Sequence, residues 1–265
     1  MTSSGAVQAE RRGAFWFVRL NRPDKRNALS EALLEGLVAA CADVAADADA
    51  RGVVLWGAGG HFCAGADFDE LSKAVDVVQH NRAFGRVLEC LRALPVPTLA
   101  VVRGAAMGGG CGLAATLDRV IAAEDAVFAM PEVTLGVAPA QIAPFVVRRI
   151  GEHRARWLML SGSKLDAGDA RQAGLADLVA PIDALAATVA GELQALTRAE
   201  PAALRATKRL VTLAAGSPLP SALDGAALEF AALLRAGAAH EGVAAIRERR
   251  RPSWHVAVPD LPEFT

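Results

Sequence analysis

Four of the five residues from 108 to 112 are glycine, in the run Met107-Gly108-Gly109-Gly110-Cys111-Gly112. The run separates an apolar, strand-like stretch at 97–103 from an apolar, helix-like stretch that reaches Leu117. A glycine inside a regular element costs roughly 0.5–1 kcal/mol against alanine, so a cluster in apolar surroundings needs a reason. Tight helix–strand packing accounts for one or two glycines and less well for four in five positions. A ligand is the other reason, because N–H groups at a helix start lack partners within the helix and point outward. Twenty positions after Gly112 comes Glu132, in Met130-Pro-Glu-Val-Thr-Leu-Gly136, a carboxylate in an otherwise apolar neighbourhood. Unpaired amides beside an acid can hold a developing oxyanion and move a proton next to it. Local sequence leaves two placements of Glu132 open: buried at such a site with a raised pKa, or turned to water on a loop.

The flanking pattern predicts an α/β core. Residues 14–20 (AFWFVRL) and 52–56 (GVVLW) are short β-branched and aromatic runs bounded by turn residues, which read as strands. Between them Ser30 can cap a helix with Leu33, Leu34, Leu37, Val38, Cys41 and Val44 on one buried face. Further strands are expected at 97–103, 119–123 and 126–129. From Pro139 onward the chain is rich in Ala, Leu and Arg. Helices are expected there at 146–161, 166–173, 182–197, 201–214, 221–236 and 240–249. Asp166 serves as an N-cap, with Gly151 and Gly174 as stops. The expectation is a mixed first half and an all-helical second half, with a boundary near 195–200.

Composition narrows the function classes. With 265 residues, 53% of them hydrophobic and 22% charged, the chain can bury a sizeable core. A net charge of −1 gives no electrostatic case for nucleic acid, and the one basic cluster, Arg247–Arg251, is short and interrupted by Glu248. The four cysteines, Cys41, Cys63, Cys90 and Cys111, show no metal-type pairing and read as reduced thiols among apolar residues. No charged-then-apolar leader opens the chain, and residues 95–116 are interrupted by Arg103 and glycines, against a membrane span. A soluble, cytoplasmic protein is expected.

Two more segments could join the site. Residues 21–29 form a cation-bearing turn whose Lys25 and Arg26 could meet phosphates, although a solvated loop explains that turn taken alone. Residues 57–67 form a second glycine-rich loop after a strand, able to present the Ala66 N–H to the same oxyanion. His61 in that loop reads as a surface group, and Asp67 and Asp118 as backbone-bonding acids. Neither glycine loop carries a phosphate-loop Gly-Lys-Ser/Thr or a dinucleotide-type Gly-x-Gly-x-x-Gly after a first βα unit.

Taken together, segments 21–29, 62–67, 97–113, 131–136, 161–179 and 241–250 resemble the crotonase superfamily, also called enoyl-CoA hydratase/isomerase. The resemblance implies an α/β fold, a ββα spiral with two near-perpendicular sheets. Residues 1–197 would form that core and 198–265 a C-terminal helical trimerisation region. It implies an acyl-CoA substrate, no separate cofactor or metal, and assembly as a homotrimer or a dimer of trimers; that no nucleic-acid or membrane partner is expected comes from the charge and composition instead. By motif match, the N–H groups of Ala66 and Gly109 would form the oxyanion hole and Glu132 would be the acid/base. Arg26, Ala28, Ala64, Ala66, Asp67, Phe68 and Gly109 would line the CoA path, Gln141 the acyl side, and Arg249 would approach CoA phosphates across a subunit boundary.

One departure bears on the chemistry. Family hydratases of the common type carry Gly-Gly-Gly-Cys-Glu-Leu, whereas this chain has Gly112 in place of that first glutamate. Downstream, Ala138-Pro-Ala-Gln-Ile-Ala-Pro144 replaces the usual glycine-rich stretch, a combination similar to hydratases of branched glutaconyl-CoA substrates. The reading is therefore an enoyl-CoA hydratase acting on a branched or functionalised substrate. A Δ-isomerase using Glu132 as sole proton shuttle, and a non-catalytic acyl-CoA-binding member, stand as alternatives. A second carboxylate on the substrate would need a cation, for which Arg82, Arg86 and Arg148 are candidates; the acyl specificity is expected from 71–88 and the helix near Gln141.

Overall fold

The computed structural model describes residues 5–73 and 75–265. Residues 1–4 of the expected core region and residue 74 of the expected specificity stretch lie outside the described residues. In chain order the elements are β1 (Val7–Arg12), β2 (Phe15–Leu20), α1 (Glu31–Ala46), β3 (Gly52–Gly57), α2 (Phe68–Leu71), α3 (Val77–Ala93), β4 (Thr98–Val102), β5 (Ala105–Met107), α4 (Gly109–Thr116), β6 (Arg119–Ala123) and β7 (Val127–Ala129). There follow a 3₁₀ turn at Pro131–Leu135, α5 (Ala143–Ile150), α6 (Glu152–Ser161), β8 (Lys164–Asp166), α7 (Ala167–Ala173), β9 (Leu178–Ala180), α8 (Leu185–Leu196), α9 (Pro201–Gly216), α10 (Leu219–Ala236) and α11 (Ala238–Arg247).

Two sheets result. The larger has the order β1-β2-β3-β4-β6-β9, with β1 antiparallel to β2 and every other pair parallel. The smaller is β5-β7-β8. Parallel strands are normally covered on both faces, and β3 and β4 are buried at every residue. Leu33 and Leu37 of α1, Leu88 and Leu91 of α3 and Leu113 of α4 fill one face. Val189 and Leu193 of α8 and Phe264 of the C-terminal tail fill the other, where Phe264 meets Trp56 edge-on with ring centroids 5.5 Å apart.

This is the α/β crotonase fold with a C-terminal helical region, α9–α11, as expected. The purely helical reading of the stretch from Pro139 to the boundary near 195–200 is corrected by β8 and β9. Each has three residues, too few to show an alternating pattern, and each is specified by hydrogen bonding to an existing strand, β7 or β6. The helix expected at 146–161 is broken between α5 and α6 at Gly151, whose φ of 78° a helix cannot carry. No helix among the described residues is long and apolar enough to cross a membrane.

The helical region is tied to the core by a half-buried lysine. Lys208 Nζ on α9 donates to Val96 O at 2.8 Å and to Asp118 Oδ2 at 2.6 Å. The same carboxylate accepts from Thr98 N and Thr98 Oγ1 at the start of β4. Asp118→Asn leaves this junction short of a charge and is expected to lower stability by about 1–2 kcal/mol. Thermal unfolding reads the loss, and hydrogen exchange should quicken in α9; unchanged exchange there would show that Lys208 does not hold the helix.

Candidate active site

The site is built by clamping the loop after β3 between a turn and a strand. Asn27 is fully buried; its Nδ2 donates to Ala58 O and His61 O, and its Oδ1 accepts from Arg22 N. On the turn side, Ala64 N donates to Arg26 O at 2.9 Å and Leu29 N to Gly65 O at 2.8 Å. On the strand side, Cys63 N donates to Ala105 O at 2.9 Å and Met107 N to Cys63 O at 3.0 Å. His61 belongs to this scaffold, its Nδ1 accepting from Ala105 N at 3.1 Å.

That clamp brings the two glycine-rich loops together. A Cβ placed on Gly65 would stand 2.9 Å from Met107 O and 3.7 Å from Gly109 N, so the residue before Ala66 faces the first turn of α4. Ala66 itself is exposed. Among the described residues neither Ala66 N nor Gly109 N donates to a backbone acceptor. The glycines serve different ends. Gly108, at φ 50° and ψ −117°, holds a conformation closed to other residues. A Cβ on Gly110 would overlap Cys63 O, so that position is glycine for packing.

Glu132 arrives from the far side. It sits on the 3₁₀ turn after β7, and its Oε1 is 2.8 Å from where a Cβ on Gly108 would stand. Its Oε2 is buried and has no hydrogen-bond partner among the described residues. Burial pushes the carboxyl above its ordinary range, against a smaller opposing pull from its own backbone N–H. The neighbouring Cys111 thiol is pushed up to about 12, first by burial and then by the charge of Glu132. An under-solvated acid therefore lies next to the helix start that carries the free Gly109 amide.

Comparison with known proteins identifies this arrangement. Residues 10–256 match the enoyl-CoA hydratase/isomerase family. The chain belongs to that family. It is 34% identical over 236 residues to the 2,3-dehydroadipyl-CoA hydratase of Escherichia coli, covering 89% of this chain and 92% of that one. An enoyl-CoA hydratase/isomerase from Marinobacter aquaeolei superposes with a TM-score of 0.91 at 37% identity, covering 94% and 98% of the two chains. Pseudomonas aeruginosa AtuE superposes with a TM-score of 0.90 at 40% identity, covering 94% and 99%. As a member of the enoyl-CoA hydratase/isomerase family, the protein is an enzyme for which acyl-CoA is the implied substrate.

In this member the place of the first family glutamate is filled. A Cβ on Gly112 would overlap Cγ2 of Ile142, which is buried at the start of α5. Arg149 holds α5 there, donating to Leu117 O at 2.7 Å and Leu175 O at 2.9 Å and pairing with Asp177 at 2.6 Å. Gln141, expected on the acyl side, lies against α3, where its Nε2 donates to Asn81 Oδ1 at 2.8 Å. The sequence puts Ile142 in the 138–144 stretch that departs from the family pattern, but nothing there says what its side chain touches. Leu29 and Phe84 are unmarked in this respect too, yet both lie against Gly109.

The other expected residues divide into two groups. Arg26, Ala28, Ala64, Ala66, Asp67 and Phe68 lie together around the clamped loop through the Ala64–Arg26, Leu29–Gly65 and Asp67–Leu29 backbone bonds. Within it the Asp67 carboxylate is committed: it pairs with Arg22 at 3.0 Å and caps α2 through Asp69 N and Glu70 N. Burial works against its charge, but Arg22 and those amides outweigh it and hold the carboxyl below its usual range. Phe68 is half exposed and Arg26 points to the surface. Arg249 is exposed just beyond α11, where its backbone N–H donates to Ile246 O at 3.2 Å. Of the three candidate cations, Arg148 lines a cavity with Gln141, Arg86 faces the opposite groove against α1, and Arg82 is exposed.

Two stability measurements check this site. Because burial raises the Glu132 carboxyl, the fold favours its protonated form. Stability linked to this group is present below the ordinary carboxylate range and lost as pH rises through the raised value. Glu132→Gln is expected to raise Tm at neutral pH, with the difference shrinking as pH falls; an equal or lower Tm at neutral pH would contradict the buried placement. Gly112→Glu is expected to cost about 1–3 kcal/mol by overpacking against Ile142. Adding Ile142→Ala should recover part of that loss, which thermal unfolding of both variants would show.

Proposed function

We propose that the protein adds water across the 2,3 double bond of an enoyl-CoA thioester. The observation that carries this reading is the buried, unbonded Oε2 of Glu132 next to Gly108, close to two amides, Ala66 N and Gly109 N, that have no backbone acceptor. As water attacks Cβ, negative charge moves onto the thioester oxygen. Two fixed N–H donors aimed at that oxygen stabilise the enolate-like state, and losing one costs about 3–4 kcal/mol. Glu132 takes the proton from the attacking water and returns a proton to Cα, so the addition balances with one carboxylate. Its desolvation makes it a stronger base than a solvated glutamate.

The CoA portion runs past Arg26, Ala28 and Ala64–Phe68, with Asp67 serving through its backbone while its carboxylate holds Arg22. Arg249 meets CoA phosphates from a neighbouring subunit of a homotrimer or dimer of trimers, consistent with the exposed apolar residues Leu219, Leu223, Leu228 and Phe230 on α10. A branched or functionalised acyl group is supported by the Gly110-Cys111-Gly112-Leu113 and 139–146 stretches. The boundary between core and helical regions is placed at 197–198, just before α9.

A second reading rests on Ile142. With the position of the first glutamate filled, a single carboxylate that removes a proton and returns it two carbons away suffices for a Δ-isomerase. Absorbance of the conjugated enoyl thioester separates the readings. It falls with a 2-enoyl substrate under hydration and rises with a 3-enoyl substrate under isomerisation. No change with either leaves a non-catalytic acyl-CoA binder.

Glu132→Gln is expected to lower turnover by roughly 10²–10⁴-fold while acyl-CoA binding, followed by calorimetry, stays close to wild type. Near-wild-type turnover in this variant would remove Glu132 from the mechanism.

A further inference from the structure

A cavity of about 890 Å³ lies between α3, α5 and α9; Leu94, Phe145, Leu210 and Leu213 give it an apolar strip, flanked by charged side chains that include the Arg209–Glu229 pair. Consecutive residues divide it from the proposed reacting centre. On α3, Phe84 lies against Gly109, 3.3 Å from where a Cβ there would stand, whereas Gly85 lines the cavity. At the start of α5, Ile142 lies against Gly112, whereas Gln141 lines the cavity. Gln141 closes the partition. Its Nε2 donates to Asn81 Oδ1 at 2.8 Å, and its Oε1 fills the space where a side chain on Gly85 would stand.

We propose that the Gln141–Asn81 hydrogen bond is a crossbar that biases the acyl-chain length the enzyme prefers. Closed, it keeps the acyl group on the Phe84 and Ile142 side of the partition; opened, it admits the tail of a longer aliphatic chain into the cavity. One side-chain hydrogen bond contributes little net, so the crossbar shifts the preference between short and long chains by about its own worth and does not exclude long ones. Gly85 is part of the device, because any larger residue would displace Gln141 from its seat. The inference rests on the reading of Gly109 and Glu132 as the reacting centre.

The test compares kcat/KM for trans-2-butenoyl-CoA and trans-2-dodecenoyl-CoA in wild type, Gln141→Ala and Asn81→Ala, which open the crossbar from opposite sides. Both variants are expected to raise the long-to-short ratio by roughly ten-fold, the size of one net hydrogen bond expressed as an equilibrium. A reporter independent of turnover is Leu210→Trp in the Gln141→Ala background, whose added indole emission should respond to dodecanoyl-CoA and not to acetyl-CoA. An unchanged ratio in both variants, or the same indole response to both ligands, overturns the proposal. Absence of wild-type turnover with the indole response retained would reject the hydration reading and leave the crossbar supported.

Discussion

The site depends on one short ladder: Cys63 exchanging backbone hydrogen bonds with Ala105 and Met107. That ladder runs the loop after β3 alongside β5, and β5 leads directly into α4. It sets Gly65 and the first turn of α4 face to face, and Gly110 is glycine because Cys63 O lies where a side chain would go. In the proposed reaction neither donor is a side chain. Its electrostatic part would thus rest on main-chain geometry that the sheet, the buried Asn27 and the Arg22–Asp67 pair hold in place.

Against that fixed frame, Glu132 is the strained member. A carboxylate with one oxygen buried and unbonded is unfavourable for folding at neutral pH and favourable for taking a proton. Its surroundings are also less polar than those of a two-acid site, because Ile142 occupies the volume next to Gly112. In the readings proposed above, both hydration and isomerisation would draw on this desolvated acid, and what would separate them is where water and the acyl chain sit.

Much of this was legible in the chain. The strands at 119–123 and 52–57, the Ser30 cap and the Asp166 cap carry strong local signals, and the structure has each of them. The glycine run and Glu132 pointed to one place, since backbone needs leave a compositional mark. β8 and β9 were illegible because three residues show no period, and β1, reading Val-Gln-Ala-Glu-Arg-Arg, is polar and specified by pairing with β2. Ile142, Phe84 and Leu29 were hidden for a different reason. An apolar residue beside a site looks like any core residue until the fold says what it touches.

The overlap of Gly112 with Ile142 also constrains how such enzymes change over time. Restoring an acid at 112 while isoleucine stays at 142 damages packing, and shrinking 142 while glycine stays at 112 opens a void with no chemical return. On the proposed chemistry each step alone is a loss, so an exchange between glycine and an acid at 112 is eased by a smaller residue at 142, and the two positions are coupled.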